Sequence, residues 1–339
     1  MSRRRTTDLT LAWAFLLLCG AGCAGVPDPP DPVPPPAAPP VVEVRLAERL
    51  GAIEPPGRLA PRIYWTPTIP GEGTFVVLTL EPEPRGLPVF EARARARDRD
   101  VILSSLDGGA YFGLVAAPLN VPEVPVDITV TLVDGTRITR QLTLSVDTRD
   151  FPATRLRVAS RFTAPDEQAL ERIRRERAIV RAALATVTTV PLWNGAFVMP
   201  RDDATTSPYG QRRLFNNELR SRHTGLDIRG RTGDPVYAAN SGRVVIAREL
   251  FYTGNAVYID HGLGVVTGYF HLSKHEVTEG QWVEKGQLIG RVGATGRVTG
   301  PHVHWGLYLQ GAALDPRTLL GPEFARISDR LPLPTVVVE

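Results

Sequence analysis

The sequence predicts a mainly β chain: an N-terminal immunoglobulin-like β-sandwich, one linking helix and a C-terminal β-sheet domain. Three observations carry that expectation. Short runs that alternate apolar and polar residues, or run apolar between glycines, recur from Thr74 to Val146 and again from Leu192 to Leu320. Between them, only the stretch from about Pro165 to Val187 has helix signals. A length of 339 residues with 43% hydrophobic content suits about two globular domains.

The first element is a leader. Arg3, Arg4 and Arg5 precede the apolar run LTLAWAFLLLCG and then GAGC, which ends at Cys23. A charged start, a short apolar core and small residues describe a secretory signal, too short for an ordinary membrane span. The segment resembles a bacterial lipoprotein signal, in which Cys23 would be lipidated and residues 1–23 form the signal, although Gly20 stands where leucine is usual and Cys19 is a second thiol. The arginines lack the apolar residue that twin-arginine export places soon after them. Cys19 and Cys23 are the only cysteines, so no disulfide framework or cysteine-based metal site is available to the folded region. Any metal there must use His, Asp or Glu. Residues 24–60 read as a tether, proline-rich over 24–42, extended at about 3.1 Å per residue where it forms polyproline II.

Residues 61–155 read as the sandwich. FVVLTL, DITVTLV and RQLTLSV are short strands, with Asp134-Gly135 as a hairpin turn. Ile128, Val130 and Leu132 alternate with Thr129 and Thr131, giving one buried and one wet face. FEARARAR sets Ala92, Ala94 and Ala96 against Arg93, Arg95 and Arg97, whose charges read as a solvated face. No histidine lies in this region, and no catalytic constellation. In the linking segment, residues 156–190, Pro165 suits a first helical turn, Asp166 and Glu167 suit its positive end, and Glu171 can pair with Arg175. Its charged surface reads as a linker or docking helix. The domain at 191–322 returns to strands cut by glycine: RVVIA, NAVYIDHG, VVTGYFH, QLIGRVG and HVHWGLYL. Residues 323–339 form a tail, in which VVVE could add an edge strand.

All six histidines fall in that last domain. In GPHVHWGLYLQ, His302 and His304 flank one valine, so on a strand both imidazoles face one side. Two readings fit: a metal, alone or beside a proton carrier, or a structural pair next to Trp305. RHTGLDIRG adds His223 and Asp227 with Gly225 between them, a loop histidine and a strand carboxylate able to converge. A carboxylate with two imidazoles is a plausible zinc set with a position left for water. The helix-borne H-E-x-x-H pattern is absent. A net charge of +3 and a pI near 9.0 suit a polyanionic neighbourhood without naming a partner. Few aromatics, and no basic run interleaved with them, argue against nucleic acid.

HTGLD, then YFHLS, then TGPHVHW resemble the motifs of the lysostaphin/LytM-type zinc endopeptidases of peptidoglycan. The likeness runs from about Pro200 to Leu320 and includes SPYGQRR, GDPVYAANSGRVV and GNAVYIDHG. The resemblance implies a duplicated-hybrid-motif-like β-sheet and one Zn2+ per chain held by His223, Asp227 and His304. It makes His271 and His302 the catalytic, proton-handling pair. His271, alternating with Thr267 and Tyr269, is expected to reach the same cavity. His261 reads as a turn or backbone-bonded histidine and His275 as solvent-exposed. Members commonly carry a tyrosine shortly before the first ligand; here Asn216 and Asn217 stand nearby as candidate substrate-binding residues.

The implied substrate is the peptidoglycan stem peptide, cut between D-Ala and meso-diaminopimelate by a D,D-endopeptidase. The implied place is the periplasm, with a lipid anchor in the outer membrane, since Ala24 replaces the aspartate of inner-membrane retention. The alternative is a LytM-type lipoprotein that activates cell-wall amidases without catalysis. Loss of a ligand would mark that class, and all five positions are present. Arg212, Arg213, Arg220, Arg222, Arg229 and Arg231 surround the first motif, as carboxylate binders or as a solvated surface. The sandwich or the helix could cover the groove until a regulatory partner moves it.

Overall fold

The computed structural model describes residues 60–156, 162, 165–215, 218–321 and 325. The signal, Cys23, the tether to residue 59, Asn216, Asn217 and the VVVE segment lie outside the described residues. What is described is mainly β, with one long helix.

Two four-stranded antiparallel sheets form the sandwich. One runs Arg62–Thr66, Thr74–Glu81, Tyr111–Ala117, Leu103–Ser105; the other runs Arg99–Val101, Val89–Ala96, Glu123–Leu132, Arg137–Ser145. The predicted alternation is met: Ile128, Val130 and Leu132 are buried with Val76, Leu78 and Leu80 of the facing sheet. Ala94 and Ala96 are buried beside them while Arg93 and Arg95 point outward. Gly135 takes the left-handed φ of +82° that the Asp134-Gly135 turn needs. Thr74–Glu81 does not alternate, because both its faces are covered. Val76 and Leu78 enter the sandwich core, whereas Phe75 and Val77, with Phe112 and Leu114, enter a core shared with Trp305, Leu307 and Leu309 of the C-terminal sheet.

The helix runs Glu167–Leu184, inside the predicted stretch. Asp166 caps it by accepting from the Ala169 N–H at 2.8 Å. Glu171 and Arg175 pair at 3.7 Å, and Arg172 and Glu176 at 2.6 Å. Only Ile173 is buried on it, so the charged exterior matches its composition. Val180, Ala183 and Leu184 rest on Ile246, Leu250 and Tyr258, and Glu176 accepts the Phe251 N–H at 2.7 Å.

The C-terminal sheet has eight antiparallel strands. In order they are Thr205–Ser207, Leu226–Arg229, His302–Leu309, Val265–Leu272, Gly254–Asp260, Gly242–Leu250 and Trp282–Val283, with Ala312–Leu314 also paired to His302–Leu309. Val265–Leu272 is buried along its whole length. Tyr269 packs with Trp305 on one face, and Phe270 with Tyr258 and Ile246 on the other. A separate three-stranded sheet lays Ala153–Leu156 parallel to Arg212–Phe215, which forms a hairpin with Glu218–Arg222. It brings the segment after the sandwich to the edge of the histidine cluster.

His261 is backbone-bonded, as expected, and it is also fully buried. Its Nδ1–H donates to the Ser241 carbonyl at 2.7 Å, and Nε2 lies 2.7 Å from the Thr267 hydroxyl. Burial pushes its pKa down from 6.5 to about 4. A folded-state value below the unfolded one gives stability that is present above pH 6.5 and lost as pH falls from 6.5 to 4. The loss is about 2–3 kcal/mol from this residue. Urea unfolding of the metal-free protein at pH 7.5 and 4.5 should show His261→Gln less stable at the higher pH but losing that much less on acidification. An unchanged loss in the variant would remove His261 from the acid response.

Candidate metal centre and cleft

Strand register builds the centre. Asp227 lies directly opposite His304, and His304 lies opposite Phe270 on its other side. The Phe270 ring stacks on the His304 imidazole, with centroids 5.2 Å apart and planes 10° from parallel. His223 precedes the Leu226–Arg229 strand in the turn that Gly225 opens. A Cβ at Gly225 would fall on the His304 ring and 2.5 Å from the Trp305 carbonyl oxygen, so only glycine leaves room for that imidazole. Gly225→Ala is accordingly expected to displace His304. Metal affinity should fall at least tenfold, read by competition with a chromophoric chelator; unchanged affinity would show that the ring has room to shift.

A carbonyl only accepts, so the Pro208 oxygen, 2.8 Å from His223 Nδ1, places the ring hydrogen there. The Nε2 lone pair of His223 then faces inward, 2.9 Å from Asp227 Oδ1 and 3.0 Å from His304 Nδ1. His304 Nδ1 is 2.8 Å from the same carboxylate oxygen. All three residues are buried, and their donor atoms lie within 4.8 Å of one another. The second carboxylate oxygen, Oδ2, accepts from Arg213 Nη2 at 2.9 Å. Burial alone would raise the Asp227 pKa, but the close contacts with the His223 and His304 rings outweigh it and hold the carboxylate ionised. Burial pushes His304 down to about 4, keeping its imidazole neutral. Two imidazoles and one carboxylate aimed at one buried point are the donor types and number of an open zinc site. The donor set fits zinc.

His271 and His302 lie beside these three. Their ring centroids are 5.0 Å apart, and His271 is 6.1 Å from His304. His271 Nδ1–H donates to the Thr295 carbonyl and His302 Nδ1–H to that of Gly300, both at 2.9 Å. Each ring therefore presents Nε2 as its free base, and that of His302 sits 3.6 Å from Asp227 Oδ1. Burial pushes the His271 pKa well below 6.5, with the neighbouring His304 and His302 adding to the shift. Both residues line one cleft with Asp227 and Arg213.

The alternation argument for His271 fails although its conclusion holds. Thr267 and Tyr269 face the core on the opposite side of the sheet, away from Phe270 and His304. His271 leaves that face because its φ is +65°, left-handed for a non-glycine residue, beside a register shift between Asn255 and Val257 of the paired strand. His275 also differs from expectation: it is half-buried, and its Nε2 is buried without a hydrogen-bond partner among the described residues. Of the arginines near the first motif whose side chains are described, Arg213 lines the cleft. Arg212 pairs with Asp150 at 3.5 Å, Arg222 lies over Phe151, and Arg229 and Arg231 are exposed. Sequence reasoning missed Arg297, which lines the cleft, and the carbonyls of Pro208, Thr295 and Gly300 that orient the histidines. Carbonyls leave no trace in residue type.

Comparison with known proteins agrees with this geometry. Residues 221–316 match the model of peptidase family M23. The chain is 46% identical over 107 residues to peptidoglycan DD-endopeptidase ShyA of Vibrio cholerae, covering 31% of this chain and 25% of that protein. It is 38% identical over 117 residues to DD-carboxypeptidase/endopeptidase Mpg of Neisseria meningitidis, covering 34% and 27%. The chain thus spans about a quarter of the length of these curated relatives. A solved structure of a putative peptidase M23 from Pseudomonas aeruginosa superposes with a TM-score of 0.56 at 30% identity, over 74% of this chain and 95% of that one.

Proposed function

The chain belongs to peptidase family M23 through residues 221–316, and from that membership we propose that it is a zinc-dependent peptidoglycan endopeptidase cutting the D-Ala to meso-diaminopimelate crosslink. The observation that carries the proposal is the completeness of the centre. His223, Asp227 and His304 converge on one point, and the free Nε2 atoms of His271 and His302 stand in the adjoining cleft. Relatives named DD-endopeptidases support the choice of bond.

His223 Nε2, Asp227 Oδ1 and His304 Nδ1 would hold one zinc ion per chain. Bound there, zinc supplies Lewis acidity, polarising the scissile carbonyl and acidifying water. Arg213 fixes the carboxylate by its second oxygen, and Phe270 fixes the His304 plane. With Nδ1–H committed to a carbonyl, His271 or His302 accepts the water proton at Nε2 and returns it to the leaving amine. The other, if it takes a proton from solvent at Nε2, would donate a hydrogen bond to the developing oxyanion. The amidase-activator alternative draws no support from the site, because no ligand position is lost.

The proposed setting is the periplasm. Cys23 would carry a lipid that anchors the chain to the outer membrane, and residues 24–60 would tether domains at 61–155, 156–190 and 191–322. A regulatory partner belongs to the same reading. The test is digestion of purified crosslinked muropeptides by the zinc-loaded protein, read by mass spectrometry. The expected result is conversion of D-Ala to diaminopimelate dimers into their two monomers. Intact dimers in the presence of stoichiometric zinc, or a cut at another bond, would overturn it.

A further inference from the structure

Between the paired positions Asn255–Leu272 and Val257–Tyr269, one strand has a single residue, Ala256, and its neighbour has Phe270 and His271. The Val265–Leu272 strand therefore carries a β-bulge. Alternation would send the His271 ring with Tyr269 into the core, whereas the bulge keeps it in the cleft with His302. The left-handed backbone of His271, at φ +65°, persists only where its surroundings hold it.

Thr295, in the loop that leads into the His302–Leu309 strand, is what holds it. Its Oγ1 donates to the Leu272 carbonyl at 2.8 Å and accepts the Asn255 N–H at 2.9 Å, bridging the two strands at the pair where the bulge ends. Its carbonyl accepts from His271 Nδ1–H at 2.9 Å. The backbone N–H of His271 donates to the Thr253 carbonyl at 2.8 Å, one residue before Gly254. A Cβ at Gly254 would fall on Thr295 Oγ1 and 2.6 Å from the Thr295 carbonyl oxygen, so the loop is seated directly against that backbone. A threonine wanted only to join two strands would need its hydroxyl. Here the same residue also meets the ring.

We propose that Thr295 is the positioning residue of His271: its hydroxyl locks the bulge that holds the ring in the cleft, and its carbonyl fixes the ring hydrogen on Nδ1. Nε2 is thereby the atom that takes and returns the proton. Thr295 acts through His271 and is not itself a catalytic residue. The effect on rate rests on the endopeptidase reading above; the effect on the tautomer does not.

The test compares Thr295→Val, which keeps the shape and removes the hydroxyl, with Thr295→Ser, which keeps the hydroxyl. Both are made in the zinc-loaded full chain and assayed on crosslinked muropeptide dimers. In Thr295→Val, kcat should fall about 10- to 100-fold, with KM within about twofold and zinc still at one per chain. Thr295→Ser should stay within about threefold of wild type. Gly254→Ala pushes on Thr295 without altering any residue of the centre, so it should reproduce the loss even if Thr295→Val fails to fold. In a His271→Ala background, adding Thr295→Val should change the rate less than about twofold. The second readout is the His271 tautomer, from long-range 1H–15N correlations of histidine-labelled protein, with the His271 signals assigned by their absence in His271→Ala. Wild type and Thr295→Ser should carry the hydrogen on Nδ1, and Thr295→Val should show both tautomers. A hydrogen on Nε2 in wild type overturns the proposal. So does zinc loss in Thr295→Val, an equal fall in Thr295→Ser, or a full further loss in the His271→Ala background. Dimers left uncut by the wild-type chain would sink the endopeptidase reading, and the tautomers alone would then decide the role of Thr295.

Discussion

His304→Ala is expected to lose bound zinc and hydrolysis together. His304 supplies one of three donor atoms and is the hub of the cluster, with its Nδ1 at 2.8 Å from Asp227 Oδ1 and 3.0 Å from His223 Nε2. Two protein ligands do not make a tight zinc site. Metal content should drop from one per chain to below about a tenth, and dimer cleavage by at least about 10³-fold. The ring also packs against Phe270, so the deletion opens a small gap in the sheet face. A companion Asp227→Asn keeps that packing and should lose zinc as well, since the amide donates only one neutral oxygen and leaves Arg213 facing no charge. Retention of one tightly bound zinc by both variants would contradict the assigned ligand set.

His271→Ala and His302→Ala are expected to separate metal binding from catalysis. Neither ring is among the three converging donors, and each spends its Nδ1–H on a backbone carbonyl. Zinc should remain at one per chain in both variants. Hydrolysis should fall by about 10²–10⁴-fold, the range for removing a positioned acid or base. The two losses should not add in the double variant if the pair works as a unit. His271 has a further signature: its left-handed backbone stores strain, so His271→Gly should lose activity without a matching loss of stability. Zinc loss in purified His271→Ala would merge the two roles and contradict the division.

Much of this centre was legible in the sequence because strand periodicity is a strong rule. His302 and His304 share a face by their i, i+2 spacing, and that face is the one the cleft uses. The alternation of Ile128, Val130 and Leu132 located the sandwich core for the same reason. His271 reaches the expected cavity for another reason than that rule, because a positive φ and a register shift in the paired strand override alternation, and neither shows in residue type. FVVLTL ignored alternation altogether, since Phe75 and Val77 meet a second core that only tertiary packing creates. Register is the other illegible quantity: no spacing in the chain says that Asp227 stands opposite His304. Arg297 went unnoticed, although it stands two positions before TGPHVHW, because residue type alone does not say which arginine turns into the cleft.

The measurement that tests the central claim most directly is a zinc titration of the wild-type chain, stripped with a chelator, with dimer cleavage as the readout. Cleavage should be absent from the stripped protein, rise in proportion to added zinc, and level off at one zinc per chain. Undiminished cleavage by the stripped protein, or one tightly bound zinc with no cleavage, would contradict the account.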